Sequence, residues 1–220
     1  MGQDRHEEDA VRDLILKMAI SVDGFVSDLD GRNTWMFGAD QEAKAWGVEY
    51  IWNASLHIMG SRSFLGMAAY WQTSTDPFAP PMNQIPKAVF SRQGPAILAH
   101  VKTMAALEEA RAKAGPTQSA APQPGAGSWA EAHVASGDLA EEIAKLKAQE
   151  GKPIIAHGGV SFARELVAQG LVDQFALIVA PVALGKGLPL FSDLAAPTPL
   201  KLMSSKAFPG GAVAQIYRPA

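Results

Sequence analysis

Four short stretches of this chain carry residue types that bind anions or move protons, and each stands where an apolar run ends. Gly60-Ser61-Arg62-Ser63 follows Leu56-His57-Ile58-Met59, Ser91-Arg92 follows Lys87-Ala88-Val89-Phe90, and Gly158-Gly159 follows Ile154-Ile155-Ala156-His157. Asp23-Gly24 closes the run from Leu14 to Val22. Glycine lets a backbone approach a ligand closely, and the first turn of a helix presents N–H groups that attract phosphate. A hydroxyl and a guanidinium at such a turn add donors that match phosphate oxygens. A carboxylate at the C-terminal end of a central strand lies where open α/β sheets place their ligands. Plainer readings stand beside these. The glycine pair serves equally as a tight strand-to-helix turn, Gly60 to Ser63 as a cap, Arg92 as a solvated surface group and Asp23 as a turn former.

The elements needed to position these stretches are legible. Leu14 to Val22 is nearly all apolar, interrupted only by Lys17 and Ser21, and suits a central strand buried on both faces. Asp40 caps a predicted amphipathic helix to Ala54, with Trp46 and Tyr50 packing on the sheet. Strands are expected at Leu56 to Met59, Lys87 to Phe90 and Ala132 to Ala135, and residues 71–86 read as a surface loop. Ala99 to Ala114 reads as a helix, followed by a low-complexity Pro/Gly/Ala/Gln segment from Gly115 to Ser128 that cannot build a core. A helix capped by Asp138 runs to about Glu150, and a second follows the glycine pair and stops at Gly170. Gln174 to Val179 is a buried strand, and Leu200 to Met203 with Ala212 to Tyr217 form an antiparallel pair. The pattern predicts a three-layer α/β/α fold, with a mixed, mostly parallel sheet and an antiparallel C-terminal hairpin. One domain spans 13–220, preceded by a flexible tail over 1–12 and interrupted by an insertion at about 95–127.

Composition removes several function classes. With 48% apolar and 19% charged residues the chain is ordinary globular sequence. A net charge of −3 leaves no basic footprint for nucleic acid. No cysteine is present, which excludes disulfides and thiolate metal sites and makes a cytoplasmic setting the simplest expectation. No run approaches the ~18 apolar residues of a membrane span. The five histidines show no metal-ligand spacing.

The three strand-end turns, together with Ser21-Val22-Asp23-Gly24, Leu171-Val172-Asp173, Pro181 to Gly187 and Pro189-Leu190-Phe191, give a resemblance. The chain resembles the dihydrofolate reductase-like family, in the branch of the reductase domain of riboflavin biosynthesis, over roughly 13–94 and 128–218. The resemblance implies NADPH as cofactor. Gly60, Ser61, Arg62 and Ser63 would bind its phosphates, Ser91 and Arg92 its 2′-phosphate, and Gly158, Gly159 and Val160 the pyrophosphate and nicotinamide side. Asp23 would be catalytic, orienting substrate or relaying a proton, and Trp35 and Phe191 would wall a small-molecule substrate pocket or serve the core. The implied activity is hydride transfer resembling 5-amino-6-(5-phosphoribosylamino)uracil reductase, in a homodimer. The alternatives are a catalytically idle ligand-binding module or a dihydrofolate reductase. His157 stands where the riboflavin reductases usually carry Glu.

Overall fold

The computed structural model describes residues 11–37, 40–101, 118–119 and 121–220. Its frame is an eight-stranded sheet in the order β5-β4-β3-β6-β1-β7-β10-β9. The strands are β1 (Leu14–Ser21), β3 (Leu56–Gly60), β4 (Lys87–Phe90), β5 (His133–Ala135), β6 (Ile154–Ala156), β7 (Gln174–Ala180), β9 (Leu200–Ala207) and β10 (Val213–Pro219). β1 lies between β6 and β7, parallel to both, as its doubly apolar sequence requires. β10 pairs antiparallel with β7 and with the edge strand β9. A second, two-stranded sheet joins β2 (Phe25–Ser27) to β8 (Leu188–Pro189).

Helices cover both faces. On one, α4 (Leu139–Lys147) and α5 (Val160–Ala168) set Ile143, Leu146, Ala163 and Leu166 against Leu14, Leu16, Ile58, Ile154 and Phe175. On the other, α1 (Gln41–Trp52), α2 (Ser61–Trp71) and α3 (Ala79–Gln84) set Ile51, Phe64, Ala68 and Met82 against Ile15, Met59, Val89 and Ile155. Asp40 caps α1 by accepting from the Ala43 N–H, and also from Gly210 N–H in the β9–β10 turn. Asp138 caps α4 by accepting from Glu141 N–H. Trp46 and Tyr50 stack at 4.9 Å and pack against this second core.

Two expectations change. Residues 71–86 are not simply a surface loop: α3 forms within them, since Pro80 and Pro81 sit in its first turn, where the lost N–H groups have no intrahelical partner anyway. Met82 and Asn83 on it are buried. The last part of the low-complexity segment also packs. Ala126 is buried, and the Ser128 hydroxyl lies between Lys87 Nζ and the Asn83 carbonyl. Trp129, immediately after, is fully enclosed, and its indole N–H donates to Asn83 Oδ1 at 2.8 Å. Ser119 and Gln123 N–H groups donate to the carbonyls of Thr73 and Gln72. Gly94–His100 is a 3-10 helix, and most of the helix expected at 99–114 lies outside the described residues. So do residues 1–10 of the expected tail. Arg12, its last residue, is buried and donates to the Leu146 carbonyl at the C-terminus of α4.

Candidate active site at the C-terminal edge of the sheet

β1, β3, β4, β5, β6 and β7 run parallel, so their C-terminal ends and the turns that follow gather along one edge. Gly60 is the N-cap of α2 and Gly159 the N-cap of α5, and neither helix start has a side-chain cap. β3 and β6 are neighbours, so the two starts are side by side. A Cβ on Gly159 would lie 2.6 Å from Ser63 Oγ, and one on Gly60 would lie 3.1 Å from Phe162 Cβ. Gly158 and Gly159 have φ of 71° and 54°, and a Cβ on Gly158 would meet the Met18 sulfur at 2.5 Å. Both positions therefore need glycine for conformation and for space. The result is a cradle of free backbone N–H groups with hydroxyls at its rim, a donor set that fits a pyrophosphate.

Ser91 and Arg92 follow β4, one strand further out. Ser91 is buried, its N–H donating to the Ala135 carbonyl and its hydroxyl accepting from Gln93 N–H, whereas Arg92 is exposed. The rings of Phe90 and Phe162 meet in a tilted pair, with centroids 5.0 Å apart. Val160 opens α5 and is half-buried against the first core.

Asp23 stands just past the end of β1, and its carboxylate is occupied. It accepts from the Ser21 hydroxyl at 2.5 Å, from Gly185 N–H at 2.7 Å and from Leu184 N–H at 3.1 Å. These bonds, the Ser21 hydroxyl foremost, hold its pKa down at about 2. In this arrangement Asp23 straps the Pro181–Gly187 loop to the end of β1. Phe191 packs on Phe175 at 5.7 Å in the first core, and Trp35 lies in a 3-10 turn with its indole N–H buried and unpartnered. Among the described residues no ring contact joins either of them to the glycine cradle.

Sequence reasoning singled out His157 beside the cradle but passed over the basic residues around it. Lys17 on β1 points to the α1 side, its ammonium 5.6 Å from the Phe78 ring centroid, and burial lowers its pKa to about 8. His157 directly precedes Gly158, and its ring stacks on His57 of β3 at 4.5 Å. Burial, then Lys17 and Lys87, push His157 down to about 3; burial, then His157, Lys87 and Lys17, also hold His57 well below the ordinary imidazole range. The available signal was a lysine inside a strand buried on both faces, which is costly unless used. Among the described residues no cluster of side chains suits a metal ion, and no helix is long and apolar enough to cross a membrane.

The fold is shared with solved proteins. The chain superposes on the deaminase/5-amino-6-(5-phosphoribosylamino)uracil reductase of Thermotoga maritima with a TM-score of 0.62 at 17% identity, over 96% of this chain and 57% of that one. It superposes on a dihydrofolate reductase of Enterococcus faecalis, complexed with NADP(H), with a TM-score of 0.54 at 10% identity, over 94% and 96% of the two chains. In sequence, 80 residues (36% of this chain) are 40% identical to the uncharacterized protein YyaP of Bacillus subtilis, spanning 43% of its length. The family model of the RibD C-terminal domain matches residues 12–214, and the chain belongs to that family.

Proposed function

We propose that this protein is an NADPH-dependent reductase, with an activity resembling that of 5-amino-6-(5-phosphoribosylamino)uracil reductase, acting on a small heterocyclic or carbonyl/imine substrate. The observation that carries this reading is the pair of uncapped helix starts meeting at Gly159 and Ser63. In it, Gly60 to Ser63 and Gly158 to Val160 hold the pyrophosphate and the nicotinamide side, and Ser91 and Arg92 hold the 2′-phosphate. A bound nicotinamide supplies the hydride. The chain's own residues orient substrate over it: Asp23 as a positioning residue that fixes the 181–187 loop, and the Lys17 ammonium as a donor to a substrate oxygen or nitrogen. The edge strand β9 of the C-terminal hairpin, exposed along Lys201 to Ala207, offers the surface for a homodimer.

Fluorescence titration with NADPH and NADH tests the cofactor assignment. NADPH is expected to bind at least tenfold more tightly, with Arg92→Ala abolishing most of that difference. Equal or absent binding of the two removes the assignment. The occupied carboxylate of Asp23 favours a second reading, a catalytically idle module that binds the same ligand. NADPH oxidation with any substrate of a heterocycle and carbonyl panel, lost on Lys17→Met with NADPH binding intact, rules that reading out.

A further inference from the structure

The sheet face beneath α1 and α2 carries four basic side chains, Lys17, His57 and Lys87 on β1, β3 and β4, and His157 one residue past β6. His57 is level with Lys87 across β3–β4 and with Ile155 across β3–β6; Ile155 is level with Ile15, so His157 and Lys17, each two residues on, share the next row. The two imidazoles stack with their planes 29° apart. Both nitrogens of His57 and Nε2 of His157 are buried without a hydrogen-bond partner. Lys87 is satisfied, by the Asn83 carbonyl and the Ser128 hydroxyl, but among the described residues Lys17 has only the face of Phe78.

Among the described residues the charged groups acting on the two imidazoles are Lys17 and Lys87, with no carboxylate beside them. From the covering helices, Lys44 of α1 is paired with Asp76, and Tyr50 accepts from Gln174. Unpartnered buried nitrogens and an uncompensated ammonium are costly in a fold, and an acceptor arriving at an imidazole N–H and the Lys17 ammonium recovers part of that cost. A metal fits poorly, since stacked rings cannot aim their lone pairs at one point and two lysines repel a cation.

We propose that His157 and Lys17 form a substrate floor for an anionic planar heterocycle, such as a ring carboxylate, with His57 as the positioning residue that fixes the His157 ring. Phe78, wedged against Gly47 of α1, is the aromatic wall beside the bound ring. This deepens the reductase reading only in placing the anion next to Gly158, and the floor can be probed without cofactor.

Orotate and its neutral parent uracil are the probes, titrated into the full chain at pH 7 while histidine side-chain 15N resonances are followed. Orotate is expected to bind at least tenfold more tightly than uracil and to shift the His157 and His57 resonances. His157→Phe and Lys17→Met should each reduce the preference to threefold or less. His57→Phe, which keeps a stacked ring, should change the His157 tautomer signature and weaken orotate about threefold, with the thermal midpoint and NADPH affinity retained. Equal affinity for the two probes, binding of neither, or a preference that survives His157→Phe overturns the proposal. Absent NADPH binding alongside an intact orotate preference would discard the reductase reading and keep the floor; the converse result would do the opposite.

Discussion

Gly159 is the residue on which the cradle turns. With φ 54° and ψ 133° it holds a backbone conformation that is close to glycine-only, and it has no space for a Cβ beside Ser63. Gly159→Ala is expected to destabilise the fold by about 1–3 kcal/mol in urea denaturation. It should also weaken NADPH binding at least tenfold in the fluorescence titration. Asp23 behaves differently. A carboxylate whose pKa lies at about 2 stays ionised across the physiological range, so it contributes no limb to an activity profile between pH 5 and 8. Asp23→Asn is expected to speed amide hydrogen exchange at Leu184 and Gly185 while leaving the apparent pKa values of the rate profile where they are. A profile that loses a limb in this variant would return Asp23 to proton transfer. At this scale the glycine turns were legible because their chemistry is local. Lys17 and His57 were not, because a side chain's role depends on which neighbours the sheet sets beside it, and register is not written in any one stretch.

Among the elements, α1, α4 and the parallel strands could be read from capping residues and apolar runs, since Asp40 and Asp138 mark their helix starts directly. α3 could not, because Pro80 and Pro81 read as loop unless a helix is known to begin there. β2 and β8 escaped as well; at three and two residues they carry no period. The segment ending at Trp129 was the larger omission. Its low-complexity composition hid an anchor supplied from α3, Asn83, which receives the indole N–H and offers its carbonyl to Lys87 and Ser128. Trp129→Ala is expected to cost about 3–5 kcal/mol in chemical denaturation. Trp129→Phe keeps most of the volume and strands Asn83 Oδ1, for about 1–3 kcal/mol. A loss under 1 kcal/mol for the alanine variant would mean the anchor is not formed.

For the whole molecule, the buried bases set an asymmetric response to pH. The folded pKa of His57, His157, Lys17 and Lys87 is lowered in each case, so the unfolded chain binds more protons than the native one. Stability therefore rises with pH through each window: from about 3 to 6.5 for His157, from about 8 to 10.5 for Lys17 and from about 7 to 10.5 for Lys87. Between pH 6.5 and 5, His157 alone accounts for a loss of about 2 kcal/mol. Urea midpoints at pH 5, 6, 7 and 8 should fall steadily toward acid. His157→Phe should flatten the slope below pH 6.5, and an unchanged slope would show that the ring is hydrated in the native state.

The contact between Gly159 and Ser63 has a thermodynamic meaning as well as a steric one. Two helix starts that touch cannot shift independently, so whatever draws one into place also arranges the other. Fragments of a dinucleotide would then help each other. With 2′,5′-ADP bound near Arg92 and Ser63, nicotinamide mononucleotide should bind several-fold more tightly than it does alone, and the reverse enhancement must be equal. Ser63→Ala, which loosens the contact without closing the cradle, should erase that mutual gain before it erases the binding of either half.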